Sequence, residues 1–336
     1  MVGYAVAFPH HELSIAMRLF AVPCLLLVLS FSSVAAEPPR VWFDTDLGPI
    51  LIRLDPERAP QTVEHFIGHV EDGFYDGLVF HRVVPGFVIQ AGGRDENFAR
   101  RDAQRPPVQG EPGNGLLNRP GKIALALSGG NPNSGRTEFF INLANSPHLD
   151  DTFTVFGEVE FGQETVRRIG SLRSSSKLVG AQVFEQAPVS PPRIRRAVVS
   201  DGFPLMPLHT GSWFNQATAG SGFNLEITND ASTESGPLAV VYWYDFNQGE
   251  PIWMTGIAAF EYGVSELTMD LLHYAGNVAD FRLPPPVAEF EVWGTLTIRF
   301  HGCTSGEFSW DSPEFGSGQA DVVRLTLPEG VNCADQ

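Results

Sequence analysis

The stretch FHRVVPGFVIQAGG, Phe80 to Gly93, holds the side chains best placed to do chemistry in this sequence. It reads as two short strands broken at Pro85-Gly86. Each half carries one polar residue among hydrophobes: Arg82 beside Phe80, Val83 and Val84, then Gln90 after Phe87, Val88 and Ile89. A strand this apolar is half buried, and a guanidinium there costs free energy unless something uses it. Arginine keeps its charge and presents its N–H donors in a planar fork, so it can favour an acceptor without giving up a proton. Other constellations fall short. SGGNPNSGRT, Ser128 to Thr137, is rich in glycine but lacks the Gly-Lys-Ser/Thr ending of a phosphate loop. His65 and His69 stand four apart on a helical stretch, which suits a metal pair, yet no third ligand accompanies them and an exposed polar face is the expectation. His81 is expected as a structural histidine inside the fold. The HLD triplet at His148 to Asp150 makes no triad without geometry.

The elements around this motif are short. RVWFDTDLGPILIRL alternates about a Gly48-Pro49 turn and predicts a hairpin. APQTVEHFIGHVEDG predicts a helix, with Pro60 early, Val63, Phe66, Ile67 and Val70 at helical spacing, and Gly73 as the stop. Strands are expected at LVFHRVV, FVIQAG, KIALAL, EFFINL and TVFGEV, a second helix at GQETVRRIGSL and a closing strand at RIRRAVVS. Many short strands with a helix near each end suggest a closed antiparallel barrel with capped openings. Beyond PLMPLHTG, Pro204 to Gly211, the texture changes, and five of the six tryptophans follow it. GFNLEITND, LAVVYWYDF, PIWMTGIAAF, GTLTIRF, GEFSW and ADVVRLTLP alternate and predict an all-β sandwich or barrel, with one helical turn near Leu267 to Leu272.

Charge and cysteines bound the partners and the compartment. Of the formal net charge of −17, residues 201–336 carry three arginines and no lysine against 18 acidic residues. So acidic a surface repels phosphate backbones and anionic lipid heads, which argues against a nucleic-acid partner. LFAVPCLLLVLSFSSV, Leu19 to Val34, follows Met17-Arg18 and precedes the small residues Ala35 and Ala36. That layout predicts a signal peptide over 1–36 with Met17 as the true start, an exported periplasmic or secreted protein, and no membrane span after cleavage. The run is shorter than a spanning helix needs. Cleavage removes Cys24 and leaves Cys303 and Cys333, an even pair for which a disulfide is expected in an oxidising compartment.

Three blocks in order carry a family resemblance: FYDGLVFHRVVPGFVIQAGG (Phe74 to Gly93), NSGRTEFFINL (Asn133 to Leu143) and HLDDTFTVFGEV (His148 to Val159). On these, residues 40–200 resemble the cyclophilins, the peptidyl-prolyl cis-trans isomerases. The resemblance implies a mainly β fold, a closed eight-stranded antiparallel barrel with two capping helices and a peptide groove on one outer face. It implies rotation about Xaa-Pro bonds with no cofactor and no metal, because the reaction breaks no covalent bond. Arg82 would donate to the twisting amide. Gln90 would hold the substrate backbone and orient Arg82. Phe87, Val88, Phe140, Leu149 and Phe153 would form the proline pocket, and Ala126 would offer backbone groups to an extended peptide.

Three positions depart from the family's usual pattern. Glu138 stands where many relatives carry glutamine, adding a negative charge beside the groove that could pair with Arg82. Phe153 stands where histidine is frequent, and His148 where many eukaryotic relatives have tryptophan. The expected organisation is a signal peptide (1–36), a cyclophilin-like domain (37–202), a linker (203–210) and an all-β accessory domain (211–336). The expected partners are proline-containing peptides and unfolded exported proteins, whose folding the isomerase would accelerate. The aromatics of the last domain either form its core or line a face for a glycan or a protein ligand. The runner-up reading is a non-catalytic module that binds proline segments or acts as a chaperone, tethered by the acidic domain.

Overall fold

Alternation along strands that are apolar on both faces decides this architecture, because each face must find its own cover. The computed structural model describes residues 37–218, 220–229, 236–247, 249–274, 290–328 and 333. The expected signal peptide, with Met17 and Cys24, lies outside the described residues.

The opening hairpin pairs β1 (Arg40–Thr45) with β2 (Gly48–Leu54). Helix α1 (Pro60–Glu71) begins on Pro60, whose missing N–H would have no partner in a first turn anyway, and buries Val63, Phe66 and Val70. β3 (Arg82–Val84), β4 (Val88–Ala91), β5 (Lys122–Leu125), β6 (Phe139–Asn142) and β7 (Val155–Phe161) follow, then α2 (Gln163–Gly170). A hairpin of β8 (Ser174–Val179) and β9 (Gln182–Pro188) precedes β10 (Ile194–Ser200). Eight of these strands form one antiparallel sheet in the order β10-β1-β2-β7-β5-β6-β4-β3. Its two ends meet just ahead of β3 and β10. There Val79 bridges Arg193, the Phe80 N–H donates to the Pro192 carbonyl at 2.9 Å, and the Ile194 N–H donates to the Leu78 carbonyl at 2.8 Å. The expected eight-stranded barrel with two helices is present. The hairpin β8–β9 was not anticipated. It packs beside β3.

Inside this barrel Phe43, Phe66, Tyr75, Phe139 and Phe156 nest together, with Phe43 stacked on Phe139 at 5.4 Å between ring centres. The opposite faces of the same strands have other uses. Trp42, Leu51 and Phe161 sit opposite one another across β1, β2 and β7 and point outward. They pack on Phe203, Leu205 and the second half of the chain.

That second half is also a closed barrel, which decides between the two architectures the sequence allowed. β11 (Gly211–Phe214), β12 (Gly222–Asn229), β13 (Pro237–Asn247), β14 (Glu250–Ala259), β15 (Glu266–Tyr274), β16 (Phe290–Phe300), β17 (Ser305–Ser312) and β18 (Gly316–Arg324) run antiparallel in chain order, and β18 closes on β11. The helical turn expected near Leu267 to Leu272 is instead part of β15. Leu267, Met269 and Leu271 are buried while Thr268 and Asp270 are exposed, a period of two that outweighs the helix preference of leucine and methionine. Cys303 and Cys333 are joined, with Cα atoms 5.7 Å apart. Closing a loop of 30 residues stabilises a barrel by roughly 3–4 kcal/mol on the chain-entropy model.

The segment 203–210, expected as a linker, is packed into the junction. Phe203, Leu205, Met206, Leu208 and His209 are all buried there. Tyr262 meets Trp42 at 5.3 Å between ring centres, and the Arg196 guanidinium lies 3.7 Å over the Tyr262 ring. Gly263 has a φ of +102°, and a side chain there would strike the Val199 carbonyl, so glycine is what lets the two barrels approach. The His209 ring stacks on Phe300 at 4.1 Å, and its Nδ1 accepts the Met206 N–H at 3.0 Å. Arg324 caps the same region, donating to the carbonyls of Leu208, Thr210, Cys303 and Thr326.

Burial, with the Arg324 charge adding to it, pushes the His209 imidazole down from 6.5 to about 3. The unfolded chain therefore takes up a proton below pH 6.5 that the folded ring refuses. This contribution is fully present above the unfolded value and is lost as pH falls toward 3, at up to ~1.4 kcal/mol per pH unit. Asparagine can accept the same N–H without titrating. Urea unfolding at pH 7 and at pH 4 should thus show a smaller acid loss for His209→Asn than for the parent chain; parallel losses would remove His209 from the explanation.

Candidate active site

The pairing of β3, β4, β6 and β5 sets one outward row. Arg82 faces Gln90, Gln90 faces Phe140, and Phe140 faces Ala124. The neighbours Ile89, Phe139 and Ile141 alternate to the interior. Val88, Ala124, Phe140 and Val155 make a second apolar cluster on the outside, against which Phe87, Ala126, Leu149 and Phe153 pack. A pocket of about 270 Å³ opens on this face, lined by Arg82, Phe87, Val88, Gln90, Ala126, Leu127, Phe140, Leu149 and Phe153. Eight of the ten residues singled out from the sequence come together here. Its floor is apolar and one end is cationic.

The turn Pro147–Leu149 supplies the far wall. The Phe153 N–H donates to the Leu149 carbonyl at 3.0 Å, and Phe153 meets Phe140 edge to face at 5.4 Å. The turn is held from behind: Asp150 Oδ1 accepts the Asn118 backbone N–H at 2.6 Å, and Asn118 Oδ1 accepts from Asn142 Nδ2 at 3.2 Å. Sequence reasoning had assigned nothing to Asn118, which is fully buried. His148 is exposed on the rim and reaches the pocket only by stacking on Phe87, at 5.7 Å and 20°.

Glu138 lies behind the wall and lines an adjoining pocket of about 120 Å³ with Arg100, Arg101 and Arg136. The expected contact with Arg82 is relayed. Arg82 Nη1 donates to Gln90 Oε1 at 3.2 Å, Gln90 Nε2 donates to Glu138 Oε2 at 2.8 Å, and His81 Nε2 stands 3.4 Å from that same oxygen. The guanidinium can only donate and the carboxylate can only accept, so a flipped Gln90 amide would lose both bonds. Burial works to raise the Glu138 carboxyl, but hydrogen bonds from His81 and Gln90 and the charge of Arg94 together hold it below the usual range. It therefore stays an acceptor at neutral pH. His81 is buried, as expected, with Glu138 as its partner. A side chain at Gly93 would overlap the Glu138 carboxylate.

A second brace comes from the unanticipated hairpin. Gln186 on β9 places Oε1 3.2 Å from Arg82 Nε, and its backbone has a φ of +58°, in the left-handed region that a side chain disfavours. The contact spans 104 residues, and only the KLVGAQVF pattern about Gly180 hints at the hairpin that makes it. Two of the five guanidinium N–H groups are thus engaged, and the remaining three have no protein partner among the described residues. Ala126 gives its N–H to the Glu138 carbonyl at 2.8 Å, so of its backbone groups the carbonyl is what it can offer a peptide. Among the described residues no three His, Cys, Asp or Glu side chains gather as a metal site. The exposed polar face expected of His65 and His69 does not form: His69 is buried against Phe74 and Tyr75, the His65 ring stands 2.6 Å from the Arg136 carbonyl, and burial with the charge of His65 pushes His69 down to about 4.

A family model described as cyclophilin type peptidyl-prolyl cis-trans isomerase matches residues 40–199. Peptidyl-prolyl cis-trans isomerase A of Dickeya dadantii is 35% identical over 188 residues, covering 54% of this chain and 96% of that protein. The chain belongs to the cyclophilin-type peptidyl-prolyl cis-trans isomerases. The Acinetobacter baylyi peptidyl-prolyl cis-trans isomerase is 37% identical over 153 residues, covering 44% of this chain and 80% of that protein. A cyclophilin type isomerase of Cryptosporidium parvum, solved in the presence of the dipeptide Ala-Pro, is 22% identical with a TM-score of 0.41, covering 48% of this chain and 98% of that one. The protein is an isomerase with a further β-rich region at its C-terminal side, beyond the family match that ends at residue 199.

In this cyclophilin the Gln186 brace makes a measurable demand. Losing one solvent-exposed hydrogen bond of this length costs about 1 kcal/mol, near fivefold in rate. Gln186→Ala should lower kcat by about that factor with KM nearly unchanged, since the apolar floor is untouched. Parent-like kcat in the folded variant would make the contact incidental.

Proposed function

We propose that the groove takes an extended proline-containing segment, seats the proline ring on Phe87, Val88, Phe140, Leu149 and Phe153, and uses Arg82 to favour the twisted amide. The preceding peptide bond resists rotation because resonance gives it partial double-bond character, with a barrier near ~20 kcal/mol. As the bond twists, resonance is lost and the prolyl nitrogen becomes a better acceptor. A donor fixed at that point lowers the barrier by binding the twisted state more tightly than the planar one. Arg82 suits this role. Two amide oxygens hold its plane while three N–H groups remain for a ligand, at the end of an otherwise apolar pocket. That braced, half-committed guanidinium is the observation that carries the reading. Burial lowers the Arg82 pKa, yet a guanidinium stays protonated through the working range, so no proton transfer is required. Gln90, fixed in orientation by Glu138, holds the substrate backbone beside it.

Arg82→Ala should reduce turnover of a short Xaa-Pro peptide by about tenfold or more, which is ~1.4 kcal/mol of barrier. Arg82→Lys should recover little, because an ammonium cannot present the planar fork. The assay is run on the full chain, with folding checked by circular dichroism. Activity near the parent level in a folded Arg82→Ala protein would overturn the mechanism.

The substrates we assign are unfolded exported proteins, and the compartment is the periplasm or the exterior. Two features support this: the basic-then-apolar run Arg18 to Val34 ahead of small residues, and the joined pair Cys303 and Cys333, a bond that reducing cytosol does not favour. Expression with the full leader in a bacterial host should yield a mature protein beginning at or near Glu37 in the exported fraction, as read by mass spectrometry. Protein that keeps its leader and both free thiols in the cytosol would reject the assignment.

A further inference from the structure

The second barrel exposes apolar side chains in register on its outer wall. Along β13 and β14 the inward residues Val241, Trp243 and Met254 are buried. Their outward neighbours stay largely bare: Tyr242 is 41% exposed, Phe246 53%, Trp253 65% and Ile257 64%. Pairing aligns them: Tyr242 faces Thr255, Tyr244 faces Trp253, and Val240 faces Ile257. The wall continues sideways, since Thr255 faces Leu272 and Leu272 faces Val292, which is 63% exposed. Single exposed hydrophobes need no explanation, but a contiguous set across four strands is unusual for a surface that meets only water.

Its surroundings are acidic. Glu226 on β12 faces Val240 across the pair, exposed at one edge of the wall. Asp270, exposed on β15, lies one residue beyond the Gly256–Leu271 pair, next to Ile257. Among the described residues from 211 onward, Arg299 is paired with Glu266 at 3.5 Å and Arg324 is turned onto backbone carbonyls. An aromatic wall edged by carboxylates attracts a cation that also brings apolar groups, since Trp and Tyr faces bind ammonium and guanidinium heads while acids favour their approach. We propose that this wall is a docking site for cationic segments of polypeptide in which lysine or arginine alternates with apolar residues. The site does not use the isomerase groove. In a chain that acts on unfolded clients, it would hold such a client near the groove at raised local concentration.

The test uses the full chain and a fluorescent, proline-free peptide alternating lysine with leucine and phenylalanine, read by anisotropy, so that the groove plays no part. The parent should bind it, and the Tyr242→Ser/Trp253→Ser variant about tenfold more weakly. Glu226→Gln/Asp270→Asn, which keeps the shape of the wall, should bind about threefold more weakly, and added salt should weaken the parent in the same direction. Turnover of a short prolyl peptide should be unchanged in both variants, and circular dichroism with a thermal melt should show the second barrel still folded. Equal binding by the parent and the aromatic variant would overturn the proposal. So would equal binding of a peptide with glutamate in place of lysine, displacement of the probe by a neutral oligosaccharide, or a dimer in sedimentation that the aromatic variant converts to monomer.

Discussion

Strands that are apolar on both faces are the constraint from which this molecule follows. In the first barrel the inward row of β4 and β6, Ile89, Ala91, Phe139 and Ile141, fills the core. The outward row of the same strands, Val88 and Phe140, becomes a pocket floor. A side chain standing on a closed sheet has little freedom to move, so Arg82, Val88, Gln90 and Phe140 are positioned by the ladder itself, while turns bring Phe87, Leu149 and Phe153 to the pocket. Arg82 gains most from this. Its charge sits at the edge of apolar surface, which is tolerable because two amide oxygens and the Gln90–Glu138–His81 relay surround its base.

Much of the site was legible because its parts are local in the chain. Arg82 and Gln90 fall eight residues apart on one hairpin, and their polar identity among hydrophobes marks them. The Phe139–Phe140 pair splits correctly under simple alternation, one ring to the core and one to the pocket. The departures were harder to place. Glu138 reads as a charge that should seek the nearest cation, yet the register places Gln90 between them and the carboxylate settles on the amide and on His81. Gln186 could not be reached in this way. Its contact depends on a hairpin of mostly exposed residues and on a left-handed backbone at a non-glycine position, and neither leaves a hydrophobic period to read.

The fold divided along similar lines. Strands with clear alternation were evident, and β11, four residues long, was too short to carry a signal of its own. In β15 the residues Leu267, Met269, Leu271 and Leu272 suit a helix by type, and only the buried–exposed alternation identifies the strand. The junction was least visible. Nothing in Trp42, Leu51 or Phe161 taken singly says that an outward row will be covered by a second barrel, because that cover arrives from residues more than forty positions beyond the last of them.

Trp42, Leu51 and Phe161 also bear on how the chain is made. The N-terminal barrel is synthesised first, and its own strands can close while the residues from Phe203 onward are still being added. Until they arrive, that outer row faces solvent as a sticky side on an otherwise finished barrel, the kind of surface that draws nascent chains into aggregates. Completion of the second barrel removes the hazard. Timing thus becomes part of the design: whatever delays the C-terminal strands prolongs the exposure of a surface with no other cover.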